Sequence, residues 1–126
     1  MGAVDGQPVV LLTETDALLG MDLSEALARA GYRVVGPIAA AEEALAQIER
    51  EAPSLAVVDT ALKDRPCTDL LRELRLRGVP CLVHTDGEPG TPLSHEAGAV
   101  RWLRKPAWPQ DVVVTLDELQ RLETRP

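Results

Sequence analysis

Phenylalanine is absent from this chain, and its aromatic residues are two Trp and one Tyr. A core without aromatic bulk has to be built from Leu, Val, Ile and Ala. At 45 % apolar content, the 126 residues supply enough of them for one domain. Basic residues are also short: 13 Lys and Arg against 20 Asp and Glu leave a net charge of −7. That balance argues against nucleic acid as a partner bound through its phosphates. No apolar run approaches membrane-spanning length, and the opening MGAVDGQP lacks the basic region and apolar core of a secretory signal. The chain is therefore expected in the cytoplasm, with no membrane partner. Cys67 and Cys81 form no CxxC, so they are expected to be reduced, partly buried thiols.

No internal repeat or linker divides the chain, and residues 1–7 read as a loose start. Val9 to Thr13 is a short apolar strand. From Ala17 to Ala30 the pattern turns helical, with Leu19, Leu23, Leu27 and Ala30 on one face and Glu25 set to pair with Arg29. Gly31 stands where a helix C-terminal glycine belongs. Tyr32 to Val35 reads as the second strand, closed by Gly36-Pro37. Ala41 to Glu51 reads as a helix with Ala41, Ala44, Leu45 and Ile48 inward, stopped by Pro53. Leu55 to Val58 is a buried strand that runs into Asp59. A loop from Ala61 to Pro66 leads to a helix over Cys67–Arg77, ended by Gly78. Val79 to His84 is the fourth strand. Residues 86–98 are rich in Gly and Pro and leave room only for a short helix, about Pro92 to Ala97. Val100 to Leu103 is the fifth strand, and Gln110 to Leu122 the last helix. Within it, Val112-Val113-Val114 favours strand on propensity.

Strand and helix thus alternate five times, which implies a parallel sheet with helices on both faces. Such sheets bind ligands at the carboxyl ends of their strands. The residues there are Glu14, Thr15 and Asp16 after the first strand, Asp59 after the third, Thr85 and Asp86 after the fourth, and Lys105-Pro106 after the fifth. Singly, each has an ordinary structural reading. Thr15 and Asp16 would start a helix, Asp59 would form a turn, Thr85 would end a strand and Lys105 would sit in solvent. Together at one edge they suit phosphoryl chemistry. A carboxylate can be the nucleophile, carboxylate oxygens can hold Mg²⁺, and a hydroxyl and an ammonium can stabilise the transferring oxygens.

With these residues in place, the chain resembles a response-regulator receiver domain of two-component signalling over about residues 8–122, with flexible ends at 1–7 and 123–126. The resemblance rests on LAVVDTAL around Asp59, on Thr85, and on GAVRWLRKP from Gly98 to Pro106. MDLSEALARAGYRVVGPIAAAEEAL resembles many stand-alone bacterial receivers. It implies a flavodoxin-like (βα)5 fold with strand order 2-1-3-4-5. It further implies that Asp59 accepts a phosphoryl group from a histidine kinase or phosphotransfer protein. Glu14, Asp59 and the backbone carbonyl of Ala61 would hold Mg²⁺. Thr85 and Lys105 would engage the phosphoryl group, Trp102 would serve with Thr85 as the switch, and the Lys105-Pro106 bond would be cis. The domain would be a regulatory phosphoacceptor rather than an enzyme of metabolism.

Three positions depart from the family pattern. Thr15 replaces the second metal-binding acid, so its part in Mg²⁺ binding is weak or indirect. Asp86 follows Thr85 where a small residue is usual. The fourth helix is shortened or irregular. With no output domain in these 126 residues, the chain is expected to act by binding a downstream protein or by draining phosphate from a kinase. The last strand and helix offer a surface for a homodimer. The alternatives are an interaction module that works without phosphorylation, and a small hydrolase with Asp59 as nucleophile. Ala61 disfavours the hydrolase, because such enzymes carry a second aspartate at that place.

Overall fold

The structure is a computed structural model that describes residues 6–85 and 100–124. Within them the elements are β1 (Val9–Thr13), α1 (Ala17–Arg29), β2 (Arg33–Ile38), α2 (Ala41–Arg50), β3 (Leu55–Asp59), α3 (Thr68–Leu76), β4 (Cys81–Thr85), β5 (Val100–Arg104) and α4 (Pro109–Thr124). The five strands form one parallel sheet in the order β2-β1-β3-β4-β5, the expected doubly wound arrangement. The short helix anticipated between Asp86 and Gly98, and Asp86 itself, lie outside the described residues.

Strand alternation sorts the core into two layers. Leu11, Ala56, Val58, Cys81 and Val83 face α2 and α3, where they meet Ala44, Ile48, Leu70 and Leu74. Val10, Leu12, Leu55, Val57 and Leu82 face α1 and α4, where they meet Leu23, Leu27, Leu116 and Leu119. Both layers are almost wholly aliphatic. Each fully buried Leu or Val contributes roughly 1.5–3 kcal/mol. β3 and β4 are buried along their whole length, which explains their unbroken apolar runs.

The second strand differs from its sequence reading. It does not close at Gly36-Pro37 but runs through both to Ile38. β2 is an edge strand, so a proline costs it no ladder bond on its open side. Leu11 stands opposite Val35 while Thr13 stands opposite Ile38, so β2 carries an extra residue and bulges. Gly36 makes this possible. Its φ is +128°, and a Cβ there would lie 2.3 Å from the Leu12 carbonyl oxygen. The Gly36-Pro37 bond is cis. Beyond the bulge the Ile38 carbonyl accepts the Glu14 N–H at 2.9 Å, which fixes the first residue of the site.

Smaller corrections have local causes. Ala30 is exposed, because the α1 stripe ends at Leu27 before the chain turns at Gly31. Cys67 and Cys81 are fully rather than partly buried, and no disulfide joins them. Residues 112–114 are helical, since Val112, Leu116 and Leu119 bury one face of α4 and override the preference of valine for strands. Glu25 and Arg29 pair at 2.8 Å, on the exposed face of α1.

Candidate functional site

At the carboxyl edge of the sheet, β1 and β3 begin to part, and a side chain takes over from the ladder. Thr13 Oγ1 donates to the Val57 carbonyl at 3.0 Å and accepts the Asp59 N–H at 2.9 Å. Asp59 is thereby held at the end of β3 with its carboxylate fully buried. Both carboxylate oxygens are engaged. Oδ1 accepts from the Ala61 N–H at 2.9 Å and lies 3.1 Å from Lys105 Nζ. Oδ2 accepts from the Thr15 amide and from the Thr15 hydroxyl, each at 3.1 Å. Burial alone would push this carboxyl up. The Ala61 amide, the Lys105 ammonium and the Thr15 amide outweigh it and hold the group below the ordinary aspartate range.

Glu14 is the second buried carboxylate. Its Oε2 accepts from the Asp16 N–H at 3.1 Å and lies 3.4 Å from Lys105 Nζ. Lys105 reaches both acids because its backbone N–H donates to the Thr85 carbonyl at 2.7 Å, which extends the β4–β5 pairing by one residue. The bond that follows, Lys105-Pro106, is cis. Burial disfavours the ammonium, but Asp59 and Glu14 more than compensate, so its pKa lies above the ordinary lysine value. Asp16 serves the pocket through its amide alone: its side-chain Oδ1 accepts the Leu19 N–H and caps α1.

Thr85 lies at the end of β4, where its hydroxyl accepts from Thr60 Oγ1 at 3.1 Å. Trp102 is half-buried on β5, opposite Val83, and packs on the layer beneath α2 and α3. Ala61 lies two residues past Asp59 and presents its amide to it. Thr13, Thr60 and His84 belong to this site and escaped the sequence reading. For Thr13 and Thr60 the signal was a hydroxyl within a strand end, which is too common to single out. His84 lies inside an apolar run and reads as a core residue.

No family model matches the chain. The transcriptional regulatory protein PdtaR of Mycobacterium tuberculosis is 29 % identical over 111 residues, covering 86 % of this chain and 54 % of PdtaR. The chain thus spans about half the length of the curated relatives it matches. A CheY-like response regulator receiver domain from Methanospirillum hungatei JF-1 is 28 % identical and superposes with a TM-score of 0.80, over 94 % of this chain and 99 % of that one. This chain has the response-regulator receiver fold. A BeF3-activated DrrB receiver domain shares the fold at 17 % identity, with a TM-score of 0.78 over 91 % of this chain and 98 % of that one.

In this chain the edge that carries Asp59 also gathers Glu14, Thr15, Thr85 and Lys105. Among the described residues, no three His, Cys, Asp or Glu side chains form a ready-made metal cluster. The donors present, the carboxylates of Glu14 and Asp59, are hard oxygens. They fit Mg²⁺, which keeps several waters and takes one or two carboxylates together with a phosphate. Thr15, in the place of a further acid, spends its hydroxyl on Asp59.

Proposed function

We propose that this receiver accepts a phosphoryl group on Asp59 from a histidine kinase or phosphotransfer protein, and that the phosphorylated form alters its contact with a downstream protein. The observation that carries the reading is a buried carboxylate flanked by an ammonium at 3.1 Å and a second buried carboxylate beyond it, at the ligand-binding edge of the sheet. Transfer breaks the P–N bond of the donor phosphohistidine and forms a P–O bond to an Asp59 carboxylate oxygen. The electron pair of the broken bond stays on the donor imidazole. Lys105 offsets charge on the phosphoryl oxygens. Thr85 leaves Thr60 to donate its hydroxyl to the same group, and Trp102 follows the space it vacates. Glu14, Asp59 and the Ala61 carbonyl would hold Mg²⁺, which would neutralise charge on the transferring group; Thr15 would contribute only through Asp59.

A donor has to reach Asp59 across the rim next to α1. Leu18, Met21 and Trp108 are exposed there. Beside them runs a groove of about 420 Å³ lined by Leu19, Asp22, Pro106, Ala107, Trp108 and Pro109. We assign this rim to the phosphodonor. No described helix is long and apolar enough to cross a membrane, and the reading places the exchange in the cytoplasm.

The test is a beryllofluoride titration of wild type and Asp59→Asn, with and without Mg²⁺, followed by tryptophan fluorescence. Beryllofluoride stands in for the phosphoryl group on an aspartate. A saturable, Mg²⁺-dependent change is expected with Asp59 present and is lost in Asp59→Asn. Trp102→Phe separates the switch signal from that of Trp108. No binding in wild type would leave the phosphorylation-independent interaction module as the better reading.

A further inference from the structure

His84 has no part in the chemistry above, yet it lies directly beneath it. It sits on β4 one residue before Thr85, with its side chain fully buried. Neither ring nitrogen has a hydrogen-bond partner among the described residues. Facing Nδ1 at 3.7 Å is Glu14 Oε1. That oxygen is also buried, and it has no donor among the described residues. The other carboxylate oxygens of the pocket all have one: Asp59 Oδ1 and Oδ2 are served by Ala61 and Thr15, and Glu14 Oε2 by Asp16 and Lys105. Two orphaned polar atoms thus face each other inside the protein, where each costs free energy until satisfied.

The chemistry of the pair selects one arrangement. A neutral imidazole carries its proton on one nitrogen only. With Nε2 protonated, the Nδ1 lone pair would face a carboxylate oxygen in a buried site. With Nδ1 protonated, an N–H faces it, and a small side-chain rotation closes the gap to hydrogen-bond length. We infer that His84 is a positioning residue for Glu14: its Nδ1–H holds Oε1 from below, so that Oε2 stays turned toward Lys105 and the cation pocket. The inference rests on the reading of Glu14 as an acid that organises a divalent cation. It matters more here than it would with a second acid in place, because Thr15 leaves Glu14 and Asp59 as the only side-chain carboxylates of the pocket among the described residues. Outer partners that orient a metal-ligating carboxylate are typically worth about 10–100-fold in metal affinity.

The probe is Mn²⁺ alone, with its free concentration read by electron paramagnetic resonance. It is titrated into wild type, His84→Leu, His84→Asn, Glu14→Gln and the Glu14→Gln/His84→Leu double variant. Leu82, two residues earlier on the same face of β4, is part of the apolar layer, so leucine at position 84 suits the fold. His84→Leu is expected to weaken Mn²⁺ binding roughly tenfold or more. His84→Asn keeps an N–H donor near Nδ1 and should recover most of that loss. In the Glu14→Gln background, His84→Leu should add little. Equal affinity in folded wild type and His84→Leu overturns the inference, as does an equal loss in the Glu14→Gln background. Nitrogen hyperfine coupling on the bound Mn²⁺ also overturns it, because His84 would then be a ligand. Wild type that takes up no Mn²⁺ overturns the reading of Glu14 itself, and this inference falls with it. Should His84→Leu fail to fold, the ring ¹⁵N shifts of wild type decide: a proton on Nδ1, with or without one on Nε2, supports the positioning role, and a proton on Nε2 alone refutes it.

Discussion

Replacing Lys105 by Met removes a charge while keeping the length and apolar stem of the side chain. Its Nζ lies 3.1 Å from Asp59 and 3.4 Å from Glu14, and both carboxylates are buried. At an effective dielectric near 20, each contact is worth roughly 5 kcal/mol of Coulomb attraction. Desolvation offsets much of this, and removing one partner from a buried pair typically costs about 3–5 kcal/mol. That is a large share of the ~5–15 kcal/mol that holds a domain folded. The pH dependence gives a sharper test. In wild type the Asp59 carboxyl lies below its ordinary value. Its contribution is therefore fully present above about pH 4 and is lost only as pH falls through the lower folded value. In Lys105→Met, two buried carboxylates face each other without a cation, so a folded carboxyl pKa rises above the unfolded one. The folded variant then binds more protons than the unfolded chain and gains stability as pH falls from neutral. Lys105 itself titrates only in the alkaline range and does not enter this window. Urea unfolding of both proteins at about pH 7.5 and 5.5 reads the effect. The deficit of Lys105→Met should be largest at the higher pH and narrow at the lower. A deficit under about 1 kcal/mol at pH 7.5, or one that widens on acidification, would refute the picture of a desolvated, cation-dependent pocket.

Two further outcomes test the frame around the site. Gly36→Ala places a methyl group 2.3 Å from the Leu12 carbonyl at a φ of +128°, so it should cost on the order of 3 kcal/mol or more in equilibrium unfolding. A variant within about 1 kcal/mol of wild type would mean that the β2 bulge yields easily. Burial raises the Cys67 thiol and pushes Cys81 up to about 12. Both should therefore resist a disulfide reagent in native buffer at pH 8 and react once urea unfolds the chain. Native-state labelling at the rate of a free thiol would show that the layer beneath α2 and α3 opens readily.

The strands that carry chemistry were the most legible part of the sequence, and the reason is physical. A strand buried on both faces has to be apolar throughout, so a carboxylate closing Leu55–Val58 stands out against it. β2 was misjudged at its end because the rule that proline stops a strand holds for central strands, and β2 lies at the edge with a glycine bulge. The α4 valines pulled toward strand because propensity is local, whereas the burial of Val112, Leu116 and Leu119 is set by the rest of the fold. Within the site, strand ends located Glu14, Asp59, Thr85 and Lys105, but alternation says which face a residue takes and not which atom it meets. That is why Thr13, Thr60 and His84 went unnoticed: each matters only through a partner on or just past another strand, 44, 25 and 70 residues away in sequence. Thr15 shows the same limit from the other side. From sequence it is a missing acid and so a weakness. In the fold its amide and hydroxyl both donate to Asp59 Oδ2, so the position read as a lost acid supplies two donors to the proposed phosphoacceptor. On the proposed reading, a pocket altered in this way would hold Mg²⁺ through fewer charges. Its response to beryllofluoride should therefore reach half-saturation at a higher Mg²⁺ concentration than that of Thr15→Asp, in which the added carboxylate restores a direct ligand; equal midpoints would refute the reading.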